Sequence, residues 1–217
     1  EAPGAEPGRI EGNPVREEIE EAGRMAGVDL ILNVVLNDKK EVVRVFAGDV
    51  FDAFVAGSRI VDQMYRVTLA RRVDTVIVSA GGWPKDINLY QAQKAIESGV
   101  RIVNQGGKIV LLAECREGAG SELFHQWMTQ EKDLDTIIRK IREKFVLGAH
   151  KAFQFARELL WADVFIYSSM DPELIEQYHM HPLREFESIE RIVEEAESIV
   201  ILPQATTTLP VLTGGAA

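Results

Sequence analysis

The chain is poor in cysteine, in long apolar runs and in basic clusters, and each shortage excludes something. A single cysteine, Cys115, among 217 residues rules out an intrachain disulfide framework and fits a reducing compartment. No apolar stretch approaches the roughly 18–20 residues needed to cross a bilayer. No signal peptide is visible, and the expected location is cytoplasmic. Asp and Glu outnumber Lys and Arg by 34 to 24, giving a net charge of -10 and no Lys/Arg-rich stripe for nucleic acid. The short basic stretches "ARR" at 70–72 and "RKIREK" at 139–144 sit beside acids and read as solvated faces.

Apolar residues make up 46% and charged residues 27%, ordinary for a globular protein. The chain does not begin with Met, and "EAPGAEPGRIEG" is rich in Gly, Pro and Glu. Residues 1–12 therefore read as a linker or arm cut from something longer, with the folded domain at 13–217.

Along that domain, "NPVREEIEEAGRMAG" reads as a helix, with Asn13 as cap, Pro14 at the first position and Gly27 past the end. "DLILNVVLNDKKEVVRVFAGD" reads as a hairpin turning at "NDKK". "DVFDAFVAGSRIVDQMYRVTLA" reads as one long amphipathic helix, on the spacing of Phe51, Phe54, Val55, Ile60, Val61 and Met64. Buried strands are expected at "VDTVIVSA", "GKIVLLAE", "ADVFIYSSM" and "IVILPQA". Helices are expected at "NLYQAQKAIESGVRIVNQG", over most of 121–161, at "DPELIEQYH" and at "PLREFESIERIVEEAES", with "TTTLPVLTGG" as a tail of turn formers. The alternation predicts an α/β fold: a largely parallel sheet flanked by helices, with an N-terminal helix and a hairpin. Ligands of such sheets bind at the carboxyl ends of the strands, here "SAGGWPKD", "AECREGAG", "SSMD" and "LPQATTT".

The richest of these ends is "GGWPKDINLYQAQK" at 81–94. Its glycines allow a sharp exit from the strand, and Lys85 and Asp86 stand at a helix entrance. Gln91 and Lys94, three apart, share a helix face where an amide and an ammonium can hold a carboxylate or hydroxy acid. The same residues also read as a capping box (Asn88 with Gln91) and a solvated lysine. In "AECREGAG", Cys115 reads as a small buried residue, Glu114 and Arg116 as a possible ion pair, and the glycines as a turn too short for a dinucleotide fingerprint. Of the four histidines, His179 and His181 in "HMH" offer a metal site only on a strand, and their surroundings read as a helix end. His150 stands at a helix start, where it can face a substrate or simply pack. The threonines of "QATTTLP" are either anion donors or turn formers.

The order of "EGNPVREEIEEAGRMAGVDLILNVVLNDKKEVVRVFAGD", "GGWPKDINLYQAQKA", "LLAECREGAG" and "LGAHKAFQFAR" resembles the C-terminal half of the nickel-dependent lactate racemase family. The resemblance covers nearly the whole chain from about Pro7. It implies one half of a two-domain isomerase that racemises or epimerises lactate or a related 2-hydroxy acid by reversible hydride transfer. The family's preceding domain carries a lysine-tethered nickel-pincer nucleotide and a pair of catalytic histidines. That domain is the implied partner; no nucleic acid or membrane is. The resemblance assigns Gln91 and Lys94 to the substrate pocket, and Lys85, Asp86 and His150 are further substrate-binding candidates. The family's pocket Trp falls near His150 or Lys151, a departure that implies a different 2-hydroxy acid. The family's nickel-binding His falls at or near Ala2 or upstream, and the cofactor-bearing Lys upstream. No cofactor, metal ligand or catalytic residue is therefore expected within this chain, which alone should be inactive. The competing expectation is a stand-alone α/β module that binds a small molecule or nucleotide at the same strand ends.

Overall fold

A computed structural model describes residues 2–131 and 133–213. Glu1 of the expected arm and the two glycines of the expected tail, Gly214 and Gly215, lie outside the described residues. The chain divides into two compact units, Glu1–Arg66 and Val67–Ala217, within a stretch that the sequence reads as one domain.

The first unit contains helix α1 (Pro14–Met25), the antiparallel hairpin β1 (Ile31–Leu36) and β2 (Val42–Gly48), and helix α2 (Val50–Tyr65). Asn13 caps α1 by accepting from the backbone N–H groups of Val15 and Arg16, as its position before Pro14 predicts. Asp49 caps α2 in the same way, accepting from Phe51 and Asp52. The guanidinium of Arg16 lies 3.6 Å from the centre of the Phe54 ring and fastens α1 to α2.

The second unit is built on a five-stranded parallel sheet of order β7-β6-β5-β4-β8. Its strands are β4 (Val73–Ser79), β5 (Val103–Leu112), β6 (Asp163–Tyr167), β7 (His181–Leu183) and β8 (Ile199–Leu202). Helix α3 (Leu89–Val100) makes the crossover from β4 to β5, and α4 (Glu122–Gln130), α5 (Leu134–Glu143) and α6 (His150–Trp161) lead from β5 to β6. A short helix, α7 (Pro172–Gln177), precedes β7, and α8 (Phe186–Glu195) precedes β8. A separate two-stranded sheet joins β3 (Arg66–Leu69) to β9 (Leu209–Leu212).

Alternate residues of the central strands enter two cores. Val76, Val78, Ile109, Leu111, Val164 and Ile166 face Leu89, Ile96, Phe124 and Phe155 in the larger one. Ile77 and Val110 meet Ile189 and Ile192 of α8 on the other side. Helices thus cover both faces, which is why the central strands read as continuous apolar runs. Each such side chain contributes about 1.5–3 kcal/mol on full burial.

The expected α/β class, parallel sheet, N-terminal helix and hairpin are all present. Four element assignments are corrected. The helix expected through 70 ends at Tyr65, because Arg66–Leu69 pairs with β9. The helix expected to end near Gly106 ends at Val100. Ile102 accepts from the N–H of Val73, and Arg72 Nη1 donates to the carbonyls of Val100 and Val103 at 3.0 and 2.8 Å, so "VNQG" is drawn into β5. Pro182 and Leu183, expected at the start of a helix, lie with His181 in the edge strand β7, a place where Pro182 is tolerated. The tail is not all turn, since 209–212 forms β9. Among the described residues, no helix is long and apolar enough to cross a membrane.

Candidate functional site

The carboxyl ends of β4, β5, β6 and β8 are tied into one crest by hydrogen bonds that leave little slack. The loop after β4 runs alongside the loop after β5: Cys115 and Glu117 donate to the carbonyls of Asp86 and Ile87 at 2.8 and 2.9 Å, and Leu89 and Tyr90 donate back to Gly118 and Ala119 at 2.9 and 3.1 Å. The side chains of Ser168 and Ser169, after β6, donate to the Glu114 carbonyl at 2.8 and 2.9 Å. After β8, the Ala205 N–H donates to Ser79 and the Thr206 hydroxyl to Ala80, each at 3.0 Å. The Ser98 hydroxyl of α3 donates to the Ala205 carbonyl at 2.7 Å.

Within this frame the candidate residues take different places. Asp86 is buried and accepts from the N–H of Glu114 at 3.3 Å, so its carboxylate braces the loop from beneath. Lys85 Nζ donates to Gln204 Oε1 at 3.1 Å across the crest. Gly81 makes room for that bond: it holds a φ of 92°, and a Cβ there would come 2.6 Å from Gln204 Oε1. Asn88 caps α3, its Oδ1 accepting from the Gln91 N–H at 3.0 Å. Its side chain fits only because position 120 is glycine, where a Cβ would stand 2.2 Å from Asn88 Cγ.

Gln91 therefore receives the cap through its backbone, while its side chain turns to Lys94, whose Nζ donates to Gln91 Oε1 at 2.9 Å. Lys94 is exposed. The pair stands on the first turns of α3, just beyond the end of β4. It offers the remaining ammonium hydrogens and the amide N–H groups, a donor set that complements a carboxylate with a neighbouring hydroxyl.

The bonds of His150 are local. Its Nδ1 accepts from the Gly148 N–H at 3.1 Å and its ring stacks with Phe145, and neither partner belongs to the four strand-end loops. Cys115 is buried, and burial pushes its thiol up to about 12, against a bond from Ser168 that lowers it. Arg116 lies over the ring of Trp83, 5.9 Å from its centre, instead of pairing with Glu114. The hydroxyls of Thr207 and Thr208 donate to the Gln204 carbonyl, so these threonines form the turn. His181 packs on Phe165, and among the described residues no three His, Cys, Asp or Glu side chains cluster closely enough to hold a metal.

One polar group between α3 and α6 escapes the sequence reading. Lys151 Nζ donates to Gln93 Oε1 at 2.5 Å and to Gln154 Oε1 at 3.1 Å, and Gln93 Nε2 donates to Glu158 Oε1. Gln93, Lys151 and Glu158 are buried, and Glu158 Oε2 has no partner. Burial, reinforced by Glu97, raises the Glu158 carboxyl well above the usual carboxylate range. Burial lowers the Lys151 ammonium below its ordinary value, opposed by Glu158 and Glu97. The spacing of Lys151, Gln154 and Glu158 along one helical face among apolar neighbours was the available signal.

The model of the lactate racemase C-terminal domain matches residues 68–210. The lactate racemase of Thermoanaerobacterium thermosaccharolyticum is 30% identical over 216 residues, covering 95% of this chain and 50% of that protein. The lactate racemase of Lactiplantibacillus plantarum is 33% identical over 184 residues, covering 82% of this chain and 43% of that protein. The chain thus spans about half the length of the curated relatives it matches. Among solved structures, the lactate racemase apoprotein from T. thermosaccharolyticum superposes with a TM-score of 0.89 at 29% identity, over 96% of this chain and 52% of that one. A protein from Thermotoga maritima shares the fold, with a TM-score of 0.67 at 16% identity over 93% of this chain and 54% of that one. The chain belongs to the lactate racemase family and carries its C-terminal domain.

Proposed function

We propose that this chain supplies the substrate-closing side of a racemase or epimerase of lactate or a related 2-hydroxy acid, working with a preceding catalytic domain. The observation that carries the reading is the Lys94–Gln91 pair at 2.9 Å, exposed on the first turns of α3 beside the strand-end crest. An ammonium supplies charge for the substrate carboxylate, and an amide supplies directional donors for its oxygens. Lys85 and Asp86 act one step back: the Lys85–Gln204 bond and the buried Asp86 carboxylate fix the loop from which α3 departs.

The family resemblance implies a nickel-pincer nucleotide and reversible hydride transfer. Among the described residues no cluster of three or more His, Cys, Asp or Glu side chains is placed to hold a metal ion, and that group is left to the preceding domain. This chain's part is to bind and orient the substrate.

The test is Lys94→Ala in the cofactor-loaded enzyme. Loss of a hydrogen bond to a charged group costs about 1.5–3 kcal/mol, so kcat/KM should fall roughly 10- to 100-fold. The thermal transition should not move. Unchanged kinetics would remove Lys94 from the substrate pocket.

A further inference from the structure

The hairpin of β1 and β2 has one covered face and one bare one. Its register sets Leu32 opposite Ala47, Val34 opposite Val45 and Leu36 opposite Val42. Directly opposed residues share a face, so these six side chains make one continuous apolar surface. All six are exposed: Leu32 retains 68% of its accessible surface, Val34 49% and Val45 54%. The other face carries Ile31, Val35 and Phe46 and packs on α2. That packed face also carries Asn33 and the exposed Arg44, whereas the bare face is apolar at all six positions. A two-stranded sheet with one face bare is marginal in water, and a patch of this kind marks an interface.

Three observations identify what covers it. The model of the C-terminal domain starts at residue 68, where the chain also divides into its two compact units. The hairpin thus lies outside that domain. Yet the similarity to the T. thermosaccharolyticum racemase extends over 216 residues and includes the hairpin, and that relative is about twice as long as the region matched. The segment is shared with that relative, precedes the matched C-terminal domain, and so adjoins the half of the relative that this chain does not match.

We infer that the bare face of the β1–β2 hairpin is the docking surface for the preceding half of a lactate racemase chain, which covers it with apolar side chains of its own. The inference rests on the two-part reading above but not on racemase chemistry, and its test reads no turnover.

The buried, high-pKa Cys115 leaves a quiet background for thiol footprinting. Val34→Cys and Val45→Cys would be labelled with a maleimide in the 217-residue chain and in the same chain joined to its preceding half. Labelling at both positions should slow by about tenfold or more in the joined protein. Lys39→Cys, in the exposed hairpin turn, should be labelled equally fast in both. Equal rates at Val34→Cys in the two proteins would overturn the inference. So would labelling that slows on concentrating the 217-residue chain alone, which would assign the face to a second copy. Hydrogen exchange of unsubstituted protein over 31–48 checks the result without a mutation: protection gained only in the joined protein supports it, and none gained refutes it.

Discussion

Gly120 and Asn88 act as one unit at the scale of single residues. The glycine holds a φ of 81°, and its missing Cβ is the space occupied by the Asn88 amide that caps α3. Gly120→Ala should therefore cost more than the ordinary strain of a left-handed alanine, at least about 2 kcal/mol, whereas Asn88→Ala should cost about 1 kcal/mol. Urea unfolding of the two variants measures the difference. Combining them should cost less than the sum, because removing Asn88 empties the space that the new methyl group needs. Glu158 makes a second prediction. Its carboxyl is held above its ordinary 4.5, so the folded state keeps a proton that the unfolded state releases. Stability should then be undiminished by this group below pH 4.5 and decline as pH rises toward the raised folded value. Glu158→Gln, which cannot ionise, should flatten that slope and gain on the parent as pH rises above 4.5. Parallel pH–stability curves for the two proteins would mean that Glu158 is ionised in place. Some of this was legible in the residues: Asn88 and Gln91 have the spacing of a cap, and Cys115 lacks a neighbouring His. What a linear string could not supply was the meeting of Gln93 with Glu158 and of Asn88 with position 120, each made by packing between distant segments.

Elements succeeded or failed in the sequence according to who decides their ends. α1 is bounded by Asn13, Pro14 and Gly27, all local devices, and its limits are legible. α3 begins at a local cap but ends because Arg72 and Val73 capture the backbone that follows it, and nothing within "SGVRIVNQ" announces that. The edge strands β3, β7 and β9 are short and polar or proline-bearing, and they exist only through their partners. The strand-end loops, by contrast, could be located from the strands alone, because α/β topology puts every carboxyl end of a parallel sheet on one side. A prediction belongs to this scale. Ser98→Ala removes the bond from α3 to the loop after β8, and with it one of the ties that orient Lys94. It should cost about 1 kcal/mol of stability, read from the thermal midpoint. In the loaded enzyme it should lower kcat/KM by less than Lys94→Ala does.

At the scale of the whole chain, the division at Arg66 and Val67 separates two units with unequal resources. The second contains both buried cores, whereas among the described residues of the first the buried apolar side chains are Val35 and Ala53 alone. Residues 67–217 expressed alone should keep a single cooperative thermal transition and the circular dichroism of a mixed α/β fold. Residues 1–66 alone should show no cooperative transition, since so small a buried core does not offset the ordering entropy of the backbone. A stable 1–66 fragment would contradict this account of the hairpin. The strand order has a consequence for how the protein is made. β4 lies between β5 and β8, so one of its flanks stays open until residues 199–202 are available to close it. On the ribosome, the sheet's most buried strand leaves the exit tunnel more than a hundred residues before its second neighbour. At synthesis rates of about 5–20 residues per second, β4 waits several seconds with an unpaired apolar edge. During that interval the open edge of β4 is free to pair with another strand.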